Sequence, residues 1–186
     1  MKWNGVTFVR DTQDFAKTLL DLKSQRCPFC ECWGTLNRHS CVRGNDPDAV
    51  QGSVVRGQRA FCSDRGRRGG CGRTFPILFA WVMPRHTFTA RLLWNALANW
   101  MRGTSLKASW EAASCPLTLD TFYHIVQRLR RKLTELRTAM HKVASPPSSK
   151  ASDPLRQTFE HMCGVFKSDF CPLESFQFRF QRPLMG

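Results

Sequence analysis

The stretch Cys27-Pro-Phe-Cys30, answered further on by Cys62-Ser-Asp-Arg-Gly-Arg-Arg-Gly-Gly-Cys71-Gly-Arg-Thr-Phe75, decides how the first half of the chain is read. A C-x-x-C turn aims two thiolates at one centre, which is the geometry a tetrahedral zinc ion uses. A redox C-x-x-C sits between a strand and a helix, whereas here a Trp33-Gly34 turn and short β-like runs follow. Cys62 and Cys71 supply the second pair, although eight residues separate them where two to four are usual. The lengthened loop is rich in Arg and Gly, and Gly69, Gly70 and Gly72 let the backbone turn about a metal without Cβ clashes. Four thiolates fill the coordination shell and leave no position for an activated water, so the expected cofactor is one structural zinc ion.

Nine cysteines and a formal charge of +14 frame this reading. An odd count favours metal ligands and buried thiols over a disulfide framework. Cys32, Cys41 and His39 are rival ligands, with burial as small core residues the plainer expectation for the two cysteines. Cys115, Cys163 and Cys171 read as core thiols. With Lys and Arg at 28 against 14 Asp and Glu, the molecule attracts polyanions, and nucleic acid is the leading partner class. No apolar run approaches the roughly 18 residues of a spanning helix. Met1 to Asp14 lacks the basic start and apolar stretch of a secretory signal, so the expected location is cytoplasmic and, with DNA as partner, nucleoid-associated.

Outward from the cysteines, the sequence predicts a small α+β protein. Val6 to Val9 reads as a strand, and Asp11 to Gln25 as an amphipathic helix capped by Asp11 or Thr12. Together these make an N-terminal segment, 1–26. A zinc ribbon of short antiparallel β-strands is expected over 27–80, with β runs at Thr35 to Val42, Val54 to Phe61 and Thr74 to Phe79 and little apolar material for a large core. Residues 86–144 read as a helical domain. Phe88 to Met101 forms a helix stopped by Gly103, a short helix runs to Ala113 behind Thr104 or Ser105, and a longer one spans Thr118 to Arg137. Ser145 to Ser152, rich in Ser and Pro, is expected to be an extended linker, 145–152. The C-terminal segment 153–186 begins with a helix over Pro154 to Phe166. Its Phe-rich end alternates Phe176, Phe178 and Phe180 as a strand would, with a short helix as the competing reading.

Two surfaces are candidates for contact with DNA. The loop side offers Arg56, Arg59, Arg65, Arg67, Arg68 and Arg73, opposed only by Asp64, as a phosphate clamp. The helices from Thr104 to Arg137 have the length pattern of a helix-turn-helix, with Trp110 and Ala113 turned to the core. Its second helix would then present Thr118, Thr121, Tyr123, His124, Gln127 and Arg128 to the major groove, while Arg130, Arg131 and Lys132 follow the phosphates.

The arrangement Cys-Pro-x-Cys, then Arg-Gly-Gln-Arg-Ala-Phe-Cys, then Gly-Gly-Cys-Gly-Arg-Thr-Phe resembles the zinc ribbons that precede a helix-turn-helix in insertion-sequence transposases and their accessory proteins. The resemblance covers about Cys27 to Arg131. It implies zinc ligation by Cys27, Cys30, Cys62 and Cys71, DNA contact by the second helix of the Ser105 to Arg131 region, and a place in transposition or recombination. Such transposases continue into a domain with three metal-binding carboxylates. Here Asp120, Glu135, Asp153, Glu160 and Asp169 are scattered and assemble no triad, and no nucleophile–base pair stands out, so no catalytic residue is assigned and the chain does not read as an enzyme.

The expectation is therefore a zinc-stabilised DNA-binding protein, an accessory or regulatory factor of a mobile element, with double-stranded DNA and a transposase or recombinase as partners. A homodimer is compatible with paired half-sites. An RNA-binding zinc ribbon is one alternative, using Trp33, Trp81 or Phe61 for stacking. The other is an adaptor that docks its Phe-rich tail, Phe166 to Phe180, on such a partner.

Overall fold

The computed structural model describes residues 5–45, 52–65, 69–113, 118–167 and 169–185. Among them are four strands, which form one mixed sheet, and seven α-helices. The chain divides into two compact units, Met1–Val82 and Met83–Gly186.

In the first unit, β1 (Thr7–Val9) leads into α1 (Thr12–Leu20), and β2 (Leu36–Gly44), β3 (Val54–Cys62) and β4 (Thr74–Phe79) follow. Asp11 caps α1 by accepting from the backbone N–H groups of Gln13 and Asp14 at 2.8 and 2.9 Å, satisfying donors that a helix start leaves open. β2, β3 and β4 form an antiparallel meander, and β1 adds in parallel to β4, giving the order β1-β4-β3-β2. The core is small, as the composition of 27–80 requires, and is completed from outside that span. Val6, Phe8, Val9 and Leu22 are buried with Leu36, Ala60, Phe75, Ile77 and Leu78. Gly57, paired with Leu78, shows how closely β3 and β4 approach, since a Cβ there would lie 2.1 Å from the Ile77 carbonyl oxygen.

The second unit is helical: α2 (Ala90–Met101), α3 (Leu106–Ala112), α4 (Leu119–Arg131), α5 (Leu133–His141), α6 (Pro154–Val165) and α7 (Pro172–Phe180). Thr89, Ser105, Thr118 and Asp153 cap α2, α3, α4 and α6 through side-chain oxygens. Gly103 follows α2 at φ +104°, a backbone conformation that favours glycine and stops the helix. Leu93, Leu97, Phe122, Ile125, Leu129, Met140, Phe159 and Phe176 are buried in one continuous core.

Two expectations change here. The single helix expected over Thr118 to Arg137 is two, because Lys132 departs from helical geometry (φ −95°, ψ 0°) and α5 starts anew at Leu133. No Gly or Pro marks the break; it follows from packing, since α5 turns Leu136, Ala139 and Met140 into the core it shares with α6. The alternating phenylalanines form no strand. Pro172 opens α7, and Leu173, Phe176 and Phe180 fall on one face at helical spacing, with the Phe176 and Phe180 rings 4.8 Å apart. Residues 145–152 lack helix and strand and are mostly exposed, as expected, but the segment is held at its two ends. Gln157 donates to the Ala151 carbonyl at 2.8 Å, and His161 Nε2 lies 3.0 Å from the Ala144 carbonyl oxygen. The expected segments 86–144, 145–152 and 153–186 all lie within the second unit.

No helix among the described residues is long and apolar enough to cross a membrane.

Candidate metal centre and basic helix face

The first knuckle spans residues 26–33. Glu31, at φ +60°, donates its N–H to the Cys27 carbonyl at 2.8 Å, Cys27 donates to the Cys32 carbonyl at 3.0 Å, and Arg26 pairs with Trp33 across the base of the turn. This folds Cys27 and Cys30 to the same side. The second knuckle forms where the chain returns from β3 toward β4: Cys62 donates to the Arg73 carbonyl at 2.9 Å, and Gly72 donates back to Cys62 at 3.0 Å. The eight residues between Cys62 and Cys71 are therefore an excursion from a closed base, which is why the unusual spacing still brings the two thiols together. Gly70 is required in this return, because a Cβ there would meet the Ser63 carbonyl oxygen at 2.0 Å and the Cys62 sulfur at 3.0 Å. Gly69 and Gly72 hold left-handed φ values of +68° and +70°.

The four sulfurs of Cys27, Cys30, Cys62 and Cys71 all lie within 4.8 Å of one another. Cys27 Sγ is 3.7 Å from Cys71 Sγ, and Cys30 Sγ is 3.7 Å from Cys62 Sγ. Tetrahedral ligation at a Zn–S length of about 2.3 Å requires sulfurs about 3.8 Å apart, so this group is already spaced for one ion of that size. Disulfide sulfurs would be about 2.05 Å apart. The four residues can thus hold a metal ion. Backbone donors support them, since Phe29 N–H lies 3.4 Å from Cys27 Sγ and Cys71 N–H 3.3 Å from Cys62 Sγ; such bonds strengthen when the acceptor is a thiolate.

The thiols differ in acidity. Burial pushes Cys27 up to about 12 and raises Cys71, whereas a backbone hydrogen bond from Cys32 draws Cys30 down to about 6. Ligation must displace the protons held by the first two, and a dication next to the sulfur does this.

Of the rival ligands, Cys41 and His39 lie apart from the group, whereas Cys32 adjoins it through Cys30 without being one of the four. Cys32, half-buried, donates to the Gly69 carbonyl at 3.0 Å; Cys41 and His39 are exposed on β2, near Gln58 and Ser40 respectively. Neither Cys32 nor Cys41 is the buried thiol that composition favours: Cys32 lies in the first knuckle, and Cys41 is on the edge strand β2. Cys171 is buried in the core as expected, Cys163 is only half-buried, and Cys115 lies outside the described residues.

The basic candidates are spread unevenly. Arg59, Arg65 and Arg73 are exposed, with the Arg73 guanidinium 5.3 Å from the Phe29 ring centre. Arg56 is only 7% exposed and lies 5.9 Å from the centre of the Trp81 ring, so it packs in the unit instead of standing in an open clamp. Arg67 and Arg68 lie outside the described residues. Arg38 and Arg43, on β2, are exposed as well and were passed over in the sequence because they fall outside the Arg/Gly loop.

α4 separates its faces cleanly. Phe122, Ile125, Val126 and Leu129 are buried, and the Phe122 ring stacks on Trp110 of α3 at 4.5 Å and 12°. Tyr123, His124, Gln127, Arg128 and Arg131 are exposed, and Thr121 is half-exposed at the helix start. Three sequence candidates have structural duties. Thr118 caps α4 by accepting from Thr121 N–H, and Arg130 is bound to the α6 cap Asp153 at 2.6 Å. Lys132 pairs with Glu135 at 3.1 Å. Arg85 and His86, which no sequence motif marked, line a cavity together with Arg128, Arg131 and Lys132.

Comparison with family models, curated proteins and solved structures found no match for this chain.

Proposed function

We propose that the chain is a zinc-stabilised protein that binds double-stranded DNA, with Cys27, Cys30, Cys62 and Cys71 holding one structural zinc ion and the solvent face of α4 contacting the duplex. The observation that carries the metal half is the spacing of four thiols from two loops at the distance a tetrahedral thiolate centre needs. Soft sulfur ligands in a tetrahedral set favour zinc among common structural ions. An all-cysteine shell gives the ion no open position, so its role is to hold the knuckles and the meander together.

The DNA half rests on the uncommitted basic face of α4 within a chain of net charge +14. Tyr123, His124, Gln127 and Arg128 stand where a recognition helix carries its base and phosphate contacts, and α3 packs behind it through Trp110. The interval between α3 and α4 is 113–118, longer than the three or four residues of a typical helix-turn-helix. An accessory or regulatory place in transposition or recombination, with a transposase or recombinase as partner, rests on the resemblance of the Cys-Pro-x-Cys and Gly-Gly-Cys-Gly-Arg-Thr-Phe segments alone.

An RNA-binding reading has one observation in its favour: Trp33, 58% exposed at the first knuckle with Arg26 5.2 Å from its ring centre, could stack on an unpaired base. An adaptor working through the Phe-rich tail would have Phe170, 84% exposed, to offer, whereas Leu173 and Phe176 are buried in the unit's own core.

The test is equilibrium binding of labelled duplex across a salt series, with single-stranded RNA as competitor. On the DNA reading, duplex outcompetes RNA at matched salt, and Arg128→Ala lowers the slope of log K against log[salt] by about one. Preference for single strands that is lost in Trp33→Ala would transfer the function to RNA.

A further inference from the structure

Two chain segments more than forty residues apart converge on one cavity of the second unit, about 350 Å³ in volume. Arg85 and His86 come from the loop before α2, and Arg128, Arg131 and Lys132 from the end of α4; among the described residues no carboxylate side chain lines the space. Pro84 and Met185 give it apolar walls. Arg85, Arg128 and Arg131 are exposed and make no ion pair among the described residues, while Lys132 is held by Glu135, which also binds Arg182.

Cations at a helix C-terminus complement the helix dipole, and that accounts for Arg128, Arg131 and Lys132. It does not account for Arg85. This residue adopts φ +66°, a conformation that costs energy for any side chain but glycine, and does so where its charge adds to three others. Like charges brought together repel, and an anion bound among them reverses the sign of that interaction. Guanidinium groups fork onto phosphate oxygens through paired N–H donors, which suits a site built mainly of arginine. The volume is at the low end of the roughly 300–1,000 Å³ of small-molecule pockets, enough for a phosphate with its sugar.

We propose that the cavity formed by Arg85, His86, Arg128, Arg131 and Lys132 is a phosphate-binding site that receives a backbone phosphate of the bound nucleic acid. The site stands on the cavity's own chemistry; only the source of the phosphate rests on the DNA reading above. Two sources share that chemistry, a phosphodiester of the duplex and a free phosphomonoester.

The experiment uses the full chain with Arg85→Gly and Arg131→Ala as variants and Arg102→Ala, an exposed arginine outside the cavity, as control. Glycine at position 85 removes the charge and takes the left-handed backbone without strain, so this variant should fold at least as well as the parent. The probes are inorganic phosphate and thymidine monophosphate, each against thymidine at constant ionic strength, read as the change in Tm, together with duplex binding across a salt series. The expected result is a saturable rise in parent Tm with both phosphates and none with thymidine. That rise is lost in Arg85→Gly and Arg131→Ala and kept in Arg102→Ala, and each cavity variant lowers the duplex salt slope by about one. Loss of the Tm rise with an unchanged duplex slope would keep the site but overturn the nucleic-acid source in favour of a free phosphomonoester. A parent that responds to phosphate but does not bind duplex would likewise keep the site and remove the DNA reading. A parent with no phosphate response, and variants with the parent slope, would overturn the site even if duplex binding persists.

Discussion

Gly70→Ala separates a geometric requirement of the metal centre from ordinary loop tolerance. A Cβ at this position would lie 2.0 Å from the Ser63 carbonyl oxygen and 3.0 Å from Cys62 Sγ, and the first of these is a backbone atom that no rotamer can move aside. Ordinary contact begins near 3.4 Å, so residues 69–72 must move by more than 1 Å relative to Cys62. Cys71 is next in the chain, and its sulfur belongs to the same group of four. Overpacking of this kind costs about 1–3 kcal/mol, which at about 1.4 kcal/mol per tenfold is roughly a 5- to 150-fold loss in metal affinity. The natural comparison is Gly164→Ala. Gly164 sits in α6 with open space around its would-be Cβ, and alanine there should stabilise by about 0.5–1 kcal/mol. The assay is zinc competition against a chromophoric chelator, paired with thermal melts of both variants. A Gly70→Ala protein with the parent's zinc affinity and Tm would refute the close approach of the two knuckles.

Other perturbations probe the second unit. Phe122→Ala removes a fully buried ring stacked on Trp110 and should cost about 3–5 kcal/mol in chemical denaturation; a loss under 1 kcal/mol would show that α3 and α4 do not pack as described. Asp153→Asn keeps a capping oxygen for α6 but removes the ion pair with Arg130. Burial alone would raise the Asp153 carboxyl, yet Arg130 and the backbone N–H groups of Leu155 and Arg156 more than offset it and hold the group below its ordinary value. A depressed carboxylate stabilises the fold above its unfolded value, near 3.9, and that contribution is lost as pH falls through the folded one. The Asn variant should therefore be less stable by up to about 1 kcal/mol at pH 7, with the difference closing below about pH 4. A difference that persists unchanged at pH 2.5 would remove the ion pair as its cause.

Much of this was legible in the sequence, for identifiable reasons. Caps and periodicity signal local structure, so Asp11, Ser105 and Thr118 mark where α1, α3 and α4 begin, and Val6–Val9 and the three later β runs become strands. The four thiols that gather were readable from the C-x-x-C spacing of Cys27 and Cys30 and from the glycines around Cys71, where small residues permit a sharp return. Tertiary demands were not readable. The break at Lys132 carries no Gly or Pro, and α5 turns there because Leu136, Ala139 and Met140 pack with α6. Alternation misled at Phe176, Phe178 and Phe180, where Pro172 and the Leu173–Phe176–Phe180 spacing carried the helical signal. Charge counting could not tell a buried arginine from an exposed one: Arg56 lies against Trp81, Arg130 is bound to Asp153, and Arg85, in no motif, joins the α4 arginines. Phe170, 84% exposed amid the buried tail, has no structural explanation.

The most direct test of the account is the zinc content of the purified chain, measured by elemental analysis for the parent and for Cys62→Ser, alongside duplex binding of the same samples. Cys62 is buried at the junction of the two knuckles, 3.7 Å from Cys30 Sγ and 3.2 Å from Thr35 Oγ1, so its loss opens the shell. The account predicts about one zinc per chain in the parent, lost together with thermal stability and duplex affinity in the variant. A parent free of zinc, or a variant that keeps its zinc and its fold, would contradict it.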